Sequence, residues 1–167
     1  MTDSKLTRRG LVAAGLVTTG LAAAGALVLS RRDARVTASF PTIAVYKDPD
    51  CGCCTAWAAH LRREGFVTEL VDTRVLDALK RRFGVPDELA SCHTAVIGGI
   101  VVEGHVPARA LKRFLAEKPD AAGLAVPGMP VGSPGMEGGA PEAYEVVLFG
   151  GSGRRTFMRF VGDRAVG

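Results

Sequence analysis

Short apolar runs alternate with amphipathic stretches through most of this chain. Residues 42–46, TIAVY, form a β-rich run that stops at the breaker Lys47-Asp48-Pro49-Asp50. Cys54, Trp57, Ala58 and Leu61 then recur at helical spacing as far as Gly65, a C-terminal stop. Residues 66–71, FVTELV, predict a second strand. In the next stretch Val75, Leu76, Leu79 and Phe83 make an apolar stripe. Arg74, Lys80, Arg81 and Arg82 take the wet side, and Gly84 ends the helix. Two apolar runs, 94–97 and 100–103, flank Gly98-Gly99 and predict a hairpin. Pro107 opens a third helix that turns Leu111, Phe114 and Leu115 inward until Pro119.

The predicted order is therefore β-α-β-α-β-β-α, an α/β fold with a right-handed parallel βαβ unit and an antiparallel hairpin edge. Residues 118–142 change character: Gly and Pro become dense over 123–141, which reads as a loop without regular structure, carrying Met129 and Met136. Residues 144–149 and 156–161 predict a closing hairpin around Gly150-Gly151-Ser152-Gly153. At 167 residues the chain has room for one domain plus appendages.

The N-terminal segment stands apart. Arg8 and Arg9 precede residues 10–29, which carry no charge and are rich in Ala, Gly, Leu and Val. A basic n-region before an apolar h-region is the layout of an export signal, and Thr7-Arg8-Arg9-Gly10-Leu11 resembles the twin-arginine motif. Small residues at Val36-Thr37-Ala38 suit cleavage before Ser39. A stretch of this length is also long enough to remain as an inner-membrane anchor. Residues 1–38 are thus expected to be a signal sequence or anchor and 39–167 the working domain, in the periplasm either way.

Charge sharpens this division. Of 21 basic and 17 acidic residues, six and two precede Ser39, so the body is neutral with fifteen of each. A neutral body gives no footing for nucleic acid, which needs clustered basic side chains. No membrane contact is expected beyond the leader.

The chemistry is concentrated in cysteine. Three of the four cysteines fall within DPDCGCCTAW, at the junction of the first strand and first helix. Thiolates at a helix N-terminus are favoured by free N–H groups and the macrodipole, so Cys51 and Cys54 suit redox work. The strand, CxxC and helix order resembles the thioredoxin-like superfamily, with Cys53 where its proline stands. That resemblance implies that Cys92-His93, ahead of the third strand, occupies the place of a cis-proline beside the CxxC pair. All four cysteines then fall in one site, a metal-site pattern rather than a disulfide framework. Soft thiolates select Cu(I), zinc or iron–sulfur clusters, and the thioethers of Met129 and Met136 tilt the choice to copper. Adjacent Cys53 and Cys54 diverge too much to chelate one ion together with Cys51, so a small polynuclear Cu(I) site is expected.

YKDPDCGCCTAW, SCHTAVIGG, VEGHVP, AEKPDAAGLAVPGMPVGSPGME and YEVVLF together resemble the CopG-like family of periplasmic copper-resistance proteins, over residues 42–149. The resemblance implies a thioredoxin-like fold, Cu(I) held by Cys51, Cys53, Cys54 and Cys92, and a place in copper handling beside efflux systems or copper chaperones. It also implies redox activity toward copper. Met129, Met136, His93 and His105 are further candidate ligands. Adjacent residues of an extended segment point to opposite sides, so only one of Cys92 and His93 is expected to face the site. His105, just ahead of Pro107, also suits a helix cap. His60 is expected to be solvated or half-buried, Trp57 to be core and Met158 structural. Three alternatives stay open at this point: a thiol-disulfide oxidoreductase using Cys51 and Cys54 on protein substrates, zinc or silver binding without redox work, and a pair of structural disulfides.

Overall fold

A computed structural model describes residues 40–167. The leader, its arginine pair, the apolar stretch 10–29 and the cleavage position lie outside the described residues. No helix among the described residues is long and apolar enough to cross a membrane.

The described residues build one eight-stranded mixed sheet of order β2-β1-β3-β4-β5-β6-β7-β8 with three α-helices. The first seven elements run β-α-β-α-β-β-α, as the hydrophobic pattern predicts: β1 (Ile43–Lys47), α1 (Gly52–Arg63), β2 (Thr68–Asp72), α2 (Leu76–Arg82), β3 (His93–Ile97), β4 (Ile100–Glu103) and α3 (Ala108–Glu117). A single 3-10 turn, Asp87–Leu89, lies between α2 and β3. β1 and β2 pair in parallel across α1, and β3 lies antiparallel to both β1 and β4. Gly98 and Gly99 both take positive φ, 55° and 88°, which is what the two-residue turn between β3 and β4 demands of its backbone.

Beyond α3 come β5 (Gly123–Ala125), β6 (Ala143–Phe149), β7 (Arg155–Val161) and β8 (Arg164–Val166). The predicted closing hairpin is β6 and β7. Two strands depart from expectation. β5 lies inside the stretch read as loop, and it bridges β4 to β6 in the middle of the sheet. Its three residues are all buried, so it shows no alternation to read. Gly123 is required there: an added Cβ would meet the Val101 carbonyl and approach the Phe149 ring to 2.7 Å. The short β8 continues the sheet as its edge.

Period-two alternation sorts the strands into two apolar layers. Val102, Leu124, Val126, Val146 and Leu148 join Trp57 and Leu61 of α1 and Leu111 and Phe114 of α3 in the main core. Val101, Ala125, Val147 and Phe149 form a smaller cluster on the other face, with Val85, Leu89 and Phe83.

α2 corrects the sequence reading. Val75, read as part of the inward stripe, is 62% exposed. Lys80, read as solvated, is the buried residue of the helix, because the carboxylate of Glu103 at the end of β4 lies fully buried beneath it. A lone acid closing the apolar run Ile100-Val101-Val102 was the signal that a buried cation had to meet it.

Candidate metal centre

The segment leading to α1 is held rigid. Lys47 is 4% exposed, and its ammonium donates to the carbonyls of Asp48 (2.9 Å) and Pro49 (3.2 Å) while pairing with Asp72 at 3.0 Å. The Asp50 amide donates to the Asp48 carboxylate at 2.9 Å, and the Cys51 amide to the Asp48 carbonyl at 3.0 Å. Cys51 is the N-cap of α1 and makes no side-chain cap bond, and the first turn holds no acid. The positive end of the helix therefore faces the cysteines with no carboxylate of its own first turn to offset it.

Cys51 and Cys54 are joined as a disulfide with Cα atoms 5.5 Å apart, and Cys53 and Cys92 are free thiols. One of the two pairs is therefore oxidised in this state, and the four cysteines make one disulfide rather than the two of a structural framework. All four sulfurs nonetheless converge within 4.8 Å of one another. Cys53 Sγ lies 3.5 Å from Cys51 Sγ and 3.9 Å from Cys92 Sγ, and the Cys92 carbonyl lies 3.6 Å from Cys54 Sγ. Cys54 is buried while the other three are half-buried, so the cluster opens to one side.

Cys92, His93 and His105 form a second group that shares Cys92. His105 Nε2 lies 3.0 Å from Cys92 Sγ, and Nδ1 lies 2.8 Å from the Pro134 carbonyl. A carbonyl only accepts, so Nδ1 carries the proton and the Nε2 lone pair faces the thiol. Burial lowers the His105 pKa and holds the ring in this neutral form. His93 Nδ1 lies 3.4 Å from Cys92 Sγ. Both Cys92 and His93 thus face the site, against the alternation rule, because β3 begins at His93 and Cys92 still belongs to the preceding segment. The His93 ring packs on Trp57 with centroids 4.3 Å apart and meets His105 edge-on at 5.1 Å. Burial, with His105 adding to it, drives the His93 pKa well below its usual value, and its Nε2 is a buried nitrogen without a hydrogen-bond partner. Burial, with the Cys53 sulfur next, pushes the Cys92 thiol up to about 12. A cation bound at the sulfurs would reverse that preference, since a coordinated thiol gives up its proton.

The Gly/Pro loop straps this corner from two points. The Gly128 amide reaches the Ala90 carbonyl at 3.4 Å, and the Gly128 carbonyl accepts the Ser91 hydroxyl. Gly135 lies against α1, where an added Cβ would come within 2.7 Å of the Cys53 carbonyl. Met129 and Met136 directly follow these two anchor glycines; Met129 is 51% exposed and Met136 half-buried.

Trp57 is fully buried core, as expected, and its indole N–H donates to the Val106 carbonyl at 2.9 Å. Of the two readings open for His105, ligand or helix cap, the structure places it in the cluster. His60, only 8% exposed, does the capping, accepting the Ala108 amide at the start of α3 through Nε2 at 3.2 Å. Sequence reasoning missed this because the pairing spans 48 residues. The half-buried Met158 packs against the main core, in keeping with a structural role.

Fold and site together define a small mixed α/β domain whose cysteines gather at a helix N-terminus into a group able to hold a soft metal ion. Residues 89–136 match the model of a protein family of unknown function, DUF411. Two solved structures are similar to the chain, both of a copper resistance protein, CopG, in forms 1 and 2. Each is 46% identical with a TM-score of 0.68, and they cover 74% and 72% of this chain and 99% and 98% of their own. No curated protein sequence matches. The chain belongs to the CopG-like copper-resistance family.

Proposed function

We propose that this is an exported protein of copper resistance that binds Cu(I) through Cys51, Cys53, Cys54 and Cys92, with His105 and His93 as nitrogen donors and copper as cargo. The observation that carries this reading is the convergence of four sulfurs with a neutral imidazole whose lone pair faces them. The donor set is soft, and the unpartnered His93 Nε2 leaves one buried donor free for a ligand. The neighbouring Cys53 and Cys54 favour thiolates that bridge several Cu(I) ions over a single tetrahedral ion. Met129 and Met136, next to the anchored glycines of the strap, are suited to receive or release copper at the open side. A thioredoxin-like assignment is supported by the strand order β2-β1-β3-β4 with β3 antiparallel, and by Cys51 and Cys54 at the start of α1.

The Cys51–Cys54 disulfide favours a redox component. When two Cu(I) ions are oxidised to Cu(II), the disulfide takes up their two electrons together with two protons from solvent and opens to two thiols. A second reading uses the same pair on protein substrates: as thiols, Cys51 and Cys54 give two electrons and two protons to a substrate disulfide, which opens to two thiols while the pair closes to its disulfide. The leader supports export, and efflux or chaperone proteins are the partners such a cargo requires.

The test is anaerobic Cu(I) titration of the reduced protein against a chromophoric Cu(I) chelator. The copper reading expects several equivalents retained and lost in Cys53→Ser and Cys92→Ser. No retained copper, together with disulfide reduction that survives Cys53→Ser, would establish the second reading instead. Metal content of protein from copper-supplemented cells separates copper from zinc and silver, and the N-terminal residue of the mature protein reports on export.

A further inference from the structure

The buried ion pair under β3 has no role in the reading above. Glu103 is fully buried and receives three donors from three separate parts of the chain. Its Oε1 accepts the Lys80 ammonium of α2 and the Ser91 amide, the latter at 2.6 Å. Its Oε2 accepts the Thr94 hydroxyl of β3 at 2.6 Å, and Lys80 donates in turn to Thr94 at 3.1 Å. Taking such a pair out of water is costly, and well-packed apolar residues of similar volume commonly do as well or better for stability. A network that is expensive for folding and fully satisfied is suited to fixing geometry.

What it fixes is the residue before Cys92. The Ser91 amide is bound to Glu103 and its hydroxyl to the Gly128 carbonyl, so both donors of Ser91 are committed, one to the sheet and one to the strap. Gly104, next to Glu103, admits this approach: an added Cβ would lie 2.6 Å from the Ser91 hydroxyl. We infer that Glu103, held in charge balance by Lys80, is the positioning residue of Cys92, and carries that thiol to Cys53 and His105. The inference rests on the reading of Cys92 as a copper ligand for its consequence, but its geometric content stands without metal.

The test uses the folded, copper-free protein first. The double substitution Lys80→Met/Glu103→Leu removes the anchor while refilling the volume. Its Cys92 should be alkylated by iodoacetamide about tenfold faster, mapped by mass spectrometry, while Cys53 on α1 changes little. Glu103→Gln keeps an oxygen for the Ser91 amide and should restore slow alkylation, which a merely space-filling role would not predict. Cu(I) retention against the chelator should fall about tenfold in the double variant, the usual scale for losing a partner that orients a ligand. In the wild type, the Ser91 amide should exchange with deuterium at least about 100-fold slower than a free amide. A folded double variant with unchanged Cys92 alkylation, or free exchange at Ser91 in the wild type, overturns the inference. If the wild type binds no copper, the proposed function fails, and the alkylation and exchange results still decide whether Glu103 positions Cys92.

Discussion

The Nε2 of His105 lies 3.0 Å from the sulfur of Cys92, with its other nitrogen tied to the Pro134 carbonyl. Ring orientation and tautomer are thereby set before any ion arrives, the arrangement that second partners give to metal-binding histidines. His105→Ala should weaken Cu(I) retention by at least about tenfold with the fold intact, as read by chelator competition and circular dichroism. Retention equal to wild type would remove His105 from the ligand set.

Cys53 carries the sharper prediction. It sits between Cys51 at 3.5 Å and Cys92 at 3.9 Å, and takes no part in the disulfide. Cys53→Ser should therefore cost as much copper as Cys51→Ser or Cys54→Ser, while leaving disulfide exchange by that pair intact. Copper-to-protein ratios after anaerobic gel filtration check it.

His60 predicts a pH dependence of stability. Burial lowers its pKa below 6.5, opposed by Asp163, Glu64 and Glu137 and aided by Arg63. Its Nε2 accepts the Ala108 amide only when unprotonated. The folded state thus holds this proton less tightly than the unfolded chain. The contribution is fully present above 6.5 and is lost as pH falls through the folded value. Urea midpoints taken between pH 7.5 and pH 5 should decline, and His60→Gln, whose amide oxygen accepts at any pH, should flatten the decline.

Gly135→Ala should loosen the strap. Its φ of 88° is left-handed, and a Cβ there would crowd the Cys53 carbonyl and the Trp57 amide at 2.7 and 2.8 Å. Moving the loop off α1 also moves Pro134, which orients His105. A stability loss of about 1–3 kcal/mol is expected, with faster copper release to the chelator.

Gly123→Ala acts on β5 instead, where the Phe149 ring stands 2.7 Å from the added methyl. The strand joins both halves of the sheet, so a comparable or larger loss of about 1–3 kcal/mol or more is expected, read from urea denaturation. Copper stoichiometry of the folded fraction should stay unchanged, since β5 contributes no ligand.

The sequence by itself determined the element order through α3, the Gly98-Gly99 turn and the concentration of soft ligands, because hydrophobic period, turn chemistry and ligand type are local properties of the chain. It also singled out Cys53 as the residue a dithiol site does not need. Only the tertiary structure decided the rest. Lys80 reads as solvent-facing until Glu103 is brought under α2, and Gly123–Ala125 reads as loop until β4 and β6 close on it. His60 reads as solvated until its partner Ala108, 48 residues away, is brought to it, and His105 stays open between cap and ligand until Cys92, 13 residues away, meets it. A buried charge or a buried three-residue strand is defined by what packs against it, and that partner is set by the fold rather than by adjacent residues.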